Sequence, residues 1–535
     1  LALALTALLL AACNNDDGSV DETTQKTTGL KANVKTIVFI YAENRSFDNI
    51  YGSFPGANGI PGVATNPTGS IVVQKDRDAG HTTLAKLPQT WGGVTAGGQT
   101  PVVTQAQSDN LPNRPFPIES SFGVNLDLSV ITRDLYHRFF ENQMQINGGT
   151  NDEFAGYADS GGLVMGYYDG SQMTMWSIAR KYVLADNFFM GAYGGSFLNH
   201  QYLICACAPE YPNADTAAAK PTIAALDMDA NGKFLARLTP AATSPASAID
   251  GPPTFVNSGN VVPKNYFGDN TFRAVNTMQP PYQPSGNTPV AGGDAALADP
   301  ARPTTLPPQS AQTIGDQLTA KGVTWAWYAG AWNAATADGM QPPSAKRNII
   351  YNNTVPNFQA HHHPFNYYAA FAPGKAARTD HLKDYADLVA AAAAGTLPSV
   401  VFYKPEGDLN QHAGYASIKA GDQHIADVIG KLQASPQWAN MVIVVTYDEN
   451  GGFWDHVPPP KGDLLGPSTR IPAIIVSPFA KAGTVDHTQY DTDSVLRLID
   501  RRFDIEPLPG LTARDSALRA AGGVPMGDLT NALAF

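Results

Sequence analysis

The sequence predicts an α/β fold, with a mainly parallel central sheet flanked by helices and carrying long loop and small β insertions. Three observations predict it. Four uninterrupted apolar runs of strand length, rich in β-branched residues, suit strands buried on both faces: 35–41, 399–403, 441–447 and 471–476. Helical periodicity lies between and after the later runs, and strands alternating with helices indicate βαβ units. The first run stands near the start of the chain and the other three follow residue 398, so the sheet is assembled from both ends.

Taken in order, Leu1 to Leu9 is apolar but shorter than the ~20 residues needed to span a bilayer; it suits the h-region of an export signal. No Met or basic stretch precedes it, so the first residues are expected to be missing. Cys13 follows Leu10-Ala11-Ala12, a pattern that resembles the lipobox of bacterial lipoproteins, where the cysteine is acylated; an ordinary cleaved signal is the alternative. On this reading 1–13 is a signal and lipobox segment, and the polar, Thr- and Asp-rich stretch 14–31 is a flexible tether. Residues 32–535 form the folded domain, exported and lipid-anchored at a bacterial membrane, periplasmic or outer, or else secreted. The stretch 52–117 shows no clear helix, and His137 falls on an expected helix around Leu135 to Met144. Cys205 and Cys207, two apart on an apolar helix, would point to different faces, which argues against a disulfide between them. Residues 208–312 are rich in Pro, Ala, Asn and Gly, with eight prolines between Pro280 and Pro308. They are expected to form an insertion of loops and short strands laid over the sheet as a lid. Ile425, Val428, Ile429 and Leu432 then mark one helix, and Val495, Leu498 and Ile499 another.

Composition narrows the function. The 535 residues carry 35 Lys and Arg against 47 Asp and Glu, a net charge of −12, which excludes a protein whose business is coating nucleic acid. With 43% hydrophobic and 15% charged residues the chain can bury a large core. Length alone allows three or four domains, but single α/β cores also reach this size; Gly 49 and Pro 41 point to one or two compact units with long ordered loops.

The chemistry sits where strands end. The first strand runs into Glu43-Asn44-Arg45-Ser46-Phe47-Asp48, and the carboxyl ends of parallel strands face the ligand crevice. A carboxylate and an amide oxygen are hard donors for a divalent metal, while Ser46 or Asp48 could simply cap the next helix. The third run ends in Asp448-Glu449-Asn450-Gly451-Gly452, adjacent acids that repel unless a cation compensates them, although acidic turns after strands are also common and solvated. Ser196 follows Gly194-Gly195 and opens an apolar segment through His200. A helix start there favours an anion and an ionised hydroxyl, or uses the serine only as a cap. His361-His362-His363, His412 and His137 could hold phosphoryl oxygens or protonate a leaving group; a triple-His tract could equally be an exposed loop, and His137 a packed side chain.

Together these stretches, with Tyr136-His137-Arg138-Phe139 and Leu409 to Tyr415, resemble the bacterial phosphoesterase family of phosphocholine-type phospholipases C and secreted acid phosphatases. They fall in order from residue 35 to about 500. The resemblance implies an alkaline-phosphatase-like fold in which Glu43, Asn44, Asp448 and Glu449 hold one divalent metal, identity unspecified, together with Ser196. It makes Ser196 the nucleophile and sets His137, His361, His362 and His412 around the phosphoryl group; His363 aligns less well. Phospholipase members commonly use Thr as nucleophile and show Asp-His-Thr-Ser near the last helix, where this chain has Asp491-Thr492-Asp493-Ser494, so the acid phosphatase branch is the nearer. The expectation is therefore a phosphate ester substrate, a monoester hydrolysed through phosphoserine. A phospholipase C is the alternative, and a surface lipoprotein that binds phosphorylated ligands without turnover stands behind both. Cationic histidines on the phosphoryl oxygens would give an acid optimum, with activity falling near pH ~6.5.

Overall fold

The computed structural model describes residues 22–93, 102–217, 227–228, 234–235, 240–255, 271–352 and 355–535. The proposed signal, Cys13 and the tether through residue 21 lie outside them. From Glu22 the expected tether is instead a helix, α1 (Glu22–Asn33). Its threonines are poor helix formers, but Leu30 is fully buried and Arg501 binds Thr27 Oγ1 at 2.8 Å, so tertiary packing overrides propensity.

Among the described residues the main sheet has eight strands: β1 (Thr36–Ala42), β2 (Val183–Ala185), β3 (Trp325–Ala329), β4 (Leu382–Asp384), β5 (Val400–Lys404), β6 (Met441–Tyr447), β7 (Ala473–Val476) and β8 (Thr484–Asp486), in the order β8-β2-β7-β6-β1-β5-β3-β4. The contiguous block β6-β1-β5-β3-β4 is parallel, whereas β7 runs antiparallel to both β6 and β2. All four apolar runs are strands, and every residue of β1 and β6 is buried, as strands covered on both faces require. Register pairs Ala42 with Tyr447 and Tyr403 with Ile40, so the carboxyl ends of β6, β1 and β5 emerge side by side.

Five further helices matter here: α2 (Phe47–Tyr51), α3 (Phe139–Ile146), α4 (Ser196–Cys205), α5 (Ile418–Gln433) and α6 (Ser494–Phe503). The periodic residues of α5 and α6 are buried as their spacing predicts. Ser46 caps α2, accepting from Asn49 N. His137, however, precedes α3 in extended chain, because Asp159 Oδ1 takes the Tyr136 N–H at 3.1 Å and helical geometry starts only at Phe139.

The disulfide expectation is corrected as well: Cys205 and Cys207 are bonded. The helix stops at Cys205 and Ala206 adopts a left-handed conformation (φ 49°), which folds Cys207 back until the two Cα atoms stand 5.1 Å apart. The described part of 208–312 contains loops joined by isolated bridges such as Gln279 to Thr305. One apolar core runs from Leu30 to Leu533, and no helix among the described residues is long and apolar enough to cross a membrane.

Candidate active site

The three adjacent strand ends deliver most of the site. Glu43 and Asn44 leave β1, Asp448 and Glu449 leave β6, and Lys404 is the last residue of β5. Asn44 takes a left-handed backbone (φ 58°), and Asp448 Oδ1 accepts both the Asn44 N–H (3.0 Å) and the Glu449 N–H (2.8 Å), tying the two strand ends together. Gly451 (φ 60°) passes so close that a Cβ there would lie 2.4 Å from the Asn44 carbonyl oxygen, which is the physical need for glycine after Asn450.

Ser196 arrives from the other side as the first residue of α4. Gly194 (φ 90°) turns the chain where a Cβ would meet Phe139 N at 2.5 Å, and Asn199 locks the turn by exchanging hydrogen bonds with Ala192. The hydroxyl is not used as a cap. Ser196 Oγ faces Glu43 Oε2 at 3.1 Å, Asn44 Oδ1 at 3.4 Å and Glu449 Oε1 at 3.4 Å. The amide of Asn44 is oriented by His412, whose Nε2 lies 2.9 Å from Asn44 Nδ2; His412 Nδ1 donates to Ala413 O, so Nε2 is the acceptor. That turns Asn44 Oδ1 toward the serine.

Glu43, Asn44, Asp448 and Glu449 are all fully buried. Burial first, and Asp448 second, push the Glu43 and Glu449 carboxyls well above the ordinary range. Asp448 Oδ2 has no hydrogen-bond partner among the described residues. Among the described residues, Lys404 brings an ammonium to this group of three buried carboxylates, where it bonds Glu43 Oε1. An orphaned carboxylate oxygen among hard oxygen donors with surplus negative charge fits a divalent cation.

A cleft of about 510 Å³ opens over Ser196. His137, His361 and His412 line it, as do Asp134, Arg138, Asp159, Gln359 and Tyr415. Val275 to Thr277 and Thr304 form part of the wall, so the Pro-rich insertion reaches the site. His362 does not line the cleft; it is buried behind it with Nδ1 3.3 Å from Glu43 Oε1. His363 is buried against Trp332. Burial, helped by Lys404, lowers His361 to about 3, and burial pushes His362 and His412 well below the usual histidine range. Burial thus disfavours the cationic form of these three, which argues against them as the source of an acid optimum. Burial raises two carboxyls of the cleft wall, Asp134 and Asp159, to about 6.

Two site residues escaped the sequence reading. His200, four residues after Ser196 on the same helix, donates Nδ1–H to Ser196 O at 2.8 Å; its i, i+4 spacing was the available signal. Lys404 was hidden as the tail of an apolar strand, although a lysine ending a fully buried parallel strand needs a buried partner. A separate cluster, Asp48, Asp455 and His456, is neutralised by Arg470, which bonds both carboxylates, and holds the loop after β6 against α2.

Known proteins bear on this geometry. Over 246 residues the chain is 27% identical to phospholipase C B of Mycobacterium tuberculosis, covering 41% of this chain and 42% of that protein. It is 32% identical over 123 residues to non-specific phospholipase C1 of Arabidopsis thaliana, 18% of this chain and 23% of that one. The matched stretches thus span less than half the length of these relatives. Among solved structures it is similar to a protein in the alkaline phosphatase superfamily from Vibrio parahaemolyticus, 12% identical, over 38% of this chain and 50% of that chain, with a TM-score of 0.23. The sequence profile of one family matches residues 34–506, from the start of β1 through α6, and by that match the chain belongs to the Phosphoesterase family.

Proposed function

We propose that this chain is an exported, metal-dependent phosphomonoesterase that works through a phosphoserine at Ser196. The observation that carries the reading is the Ser196 hydroxyl, at the first turn of a ten-residue helix, held within 3.1–3.4 Å of Glu43, Asn44 and Glu449 at the floor of a polar cleft. Glu43, Asn44, Asp448 and Glu449 would hold one divalent ion with Ser196. Such an ion, when bound, lowers the pKa of the hydroxyl and offsets charge developing on the phosphoryl oxygens.

Ser196 Oγ attacks phosphorus in line, forming the Ser–O–P bond as the bond to the leaving oxygen breaks. The first-turn amides of α4 and a ring N–H of His361 bind phosphoryl oxygens. The departing alkoxide takes its proton from His137 in preference to His412. His137 is 17% exposed to the cleft and its Nε2 stands 3.4 Å from Asn44 Nδ2, whereas His412 Nε2 is engaged there at 2.9 Å. Water then cleaves phosphoserine by the reverse geometry. His362 steadies Glu43 rather than touching substrate. His137→Ala should therefore cost about 10²–10³ in kcat on an alkyl monoester such as glycerol phosphate. The loss should be under ~10-fold on p-nitrophenyl phosphate, whose phenolate leaves unprotonated. Equal losses on both would remove His137 from the proton-transfer role.

Monoester preference is supported by Arg138, whose guanidinium lies over the Tyr136 ring at 5.6 Å, covering an aromatic face that a quaternary ammonium would need. The second reading, a phospholipase C, is favoured by the names of the relatives and by Asp134 and Asp159, carboxylates suited to a cationic headgroup. The deciding experiment compares kcat/KM on p-nitrophenyl phosphate and p-nitrophenyl phosphorylcholine. At least ~10-fold preference for the monoester supports the first reading, and the reverse preference replaces it with the second.

A further inference from the structure

Behind the cleft, on the far side of Glu43, a second set of donor atoms converges. Glu43 turns Oε2 to Ser196 and Oε1 the other way, where His362 Nδ1 stands at 3.3 Å and His200 Nε2 at 3.6 Å. Two ligands each about 2.0–2.1 Å from a tetrahedral zinc lie about 3.3–3.4 Å apart, so these spacings match the edge of a coordination shell. The two imidazoles are buried and stack at 4.9 Å with their planes 7° apart. His200 gives its Nδ1 proton to the Ser196 carbonyl, which leaves Nε2 as a bare lone pair aimed at Glu43; a backbone carbonyl on the other ring nitrogen is how metal-bound imidazoles are oriented. That Nε2 has no hydrogen-bond partner among the described residues.

Lys404 stands against this set. Its Nζ bonds Glu43 Oε1, donates to the Tyr41 carbonyl at 3.0 Å and lies over the Tyr41 ring at 5.5 Å. The ammonium is a compact point charge on a flexible stem, the side chain that most nearly substitutes for a small cation.

We propose that Glu43, His200 and His362 form a second divalent-cation site of the zinc type, and that the Lys404 ammonium, by bonding Glu43 Oε1, excludes an ion from it. The inference rests on the reading that Glu43, Asn44, Asp448 and Glu449 hold the first ion. A fixed positive charge orients Glu43 Oε1 as a second ion would, leaving Oε2 for the nucleophile. Unlike an ion it offers no open coordination position to water or a phosphoryl oxygen. The chain is thereby restricted to one exchangeable metal, and removing the amine opens a two-metal centre that shares the Glu43 carboxylate.

The test counts metal. Wild type, Lys404→Ala and the double variant Lys404→Ala/His200→Ala are stripped, equilibrated with zinc, desalted and assayed by inductively coupled plasma mass spectrometry. Cobalt spectra report coordination independently. The expected ratios are about one zinc per chain in wild type, about two in Lys404→Ala and about one again in the double variant. A folded Lys404→Ala protein that still holds one zinc overturns the proposal. So does a wild type that holds two and loses one on His200→Ala. A wild type that holds none overturns instead the reading of the first site, which keeps the two failures apart. Should circular dichroism show Lys404→Ala unfolded, Lys404→Gln removes the charge while keeping a hydrogen-bonding head, and the same count decides.

Discussion

Replacing Ser196 by alanine is expected to lower kcat on a phosphomonoester by about 10⁴–10⁶-fold, the scale on which a covalent nucleophile is lost while its surroundings stay in place. The surroundings should stay because the hydroxyl caps nothing: Asn199 and the glycine turn hold the start of α4, and Glu43, Asn44, Asp448 and Glu449 are fixed by their own strand ends. Metal affinity should fall only modestly, since one donor of five is removed. Residual activity would come from water in the space left by Oγ, with binding of the phosphoryl group intact. The measurement pairs initial rates with an acid quench of the wild type on ³²P-labelled substrate, in which label must appear on Ser196. A rate within tenfold of wild type, or label on another residue, would end the assignment. Retained phosphate binding with no turnover in the wild type would revive the non-catalytic lipoprotein reading.

How much of this was legible depended on whether a residue's neighbours in sequence are also its neighbours in space. β1, β5, β6 and β7 were readable because a strand buried on both faces must be apolar at every position, a local signal. The strand ends followed, and with them Glu43, Asn44, Asp448 and Glu449. β3 was missed because Trp325-Ala326-Trp327-Tyr328-Ala329 mixes aromatics with alanine and lacks the branched aliphatics that mark a strand. β2, β4 and β8 have three residues each, too few for any period to show. The helix expected at His137 failed on a long-range contact, Asp159 taking the Tyr136 N–H. The disulfide failed on one left-handed residue, Ala206. The family resemblance set His362 around the phosphoryl group together with His361. On the short 3₁₀ turn Ala360–His362, however, the two rings diverge, one to the cleft and one to Glu43.

Chelation should abolish activity and, more diagnostically, should destabilise the protein in a pH-dependent way. Without metal, burial and the neighbouring Asp448 raise the Glu43 and Glu449 carboxyls in the folded state above their unfolded values. A raised pKa contributes stability that is fully present below the unfolded value, near 4.5, and is lost as pH climbs through the folded one. The metal-free protein should therefore lose stability from these acids as pH rises from 5 to 8. Bound metal holds them ionised at no such cost, so its stabilisation should grow over the same interval. The buried histidines act in the opposite direction. Burial lowers His200, His361 and His412, so stability from them is lost as pH falls below the unfolded value of 6.5. That loss is common to both forms and cancels in the difference, which makes the gap in Tm between metal-loaded and chelated protein the quantity to follow. With metal a thousandfold above Kd the gap at pH 8 should be about 4 °C, because a chain of this size needs about 1 kcal/mol per degree. At pH 5 the gap should narrow, and Glu449→Gln, which removes one of the repelling acids, should narrow it at pH 8 as well. A gap that is absent at pH 8, or one that widens toward acid, would mean that these carboxylates do not hold the ion.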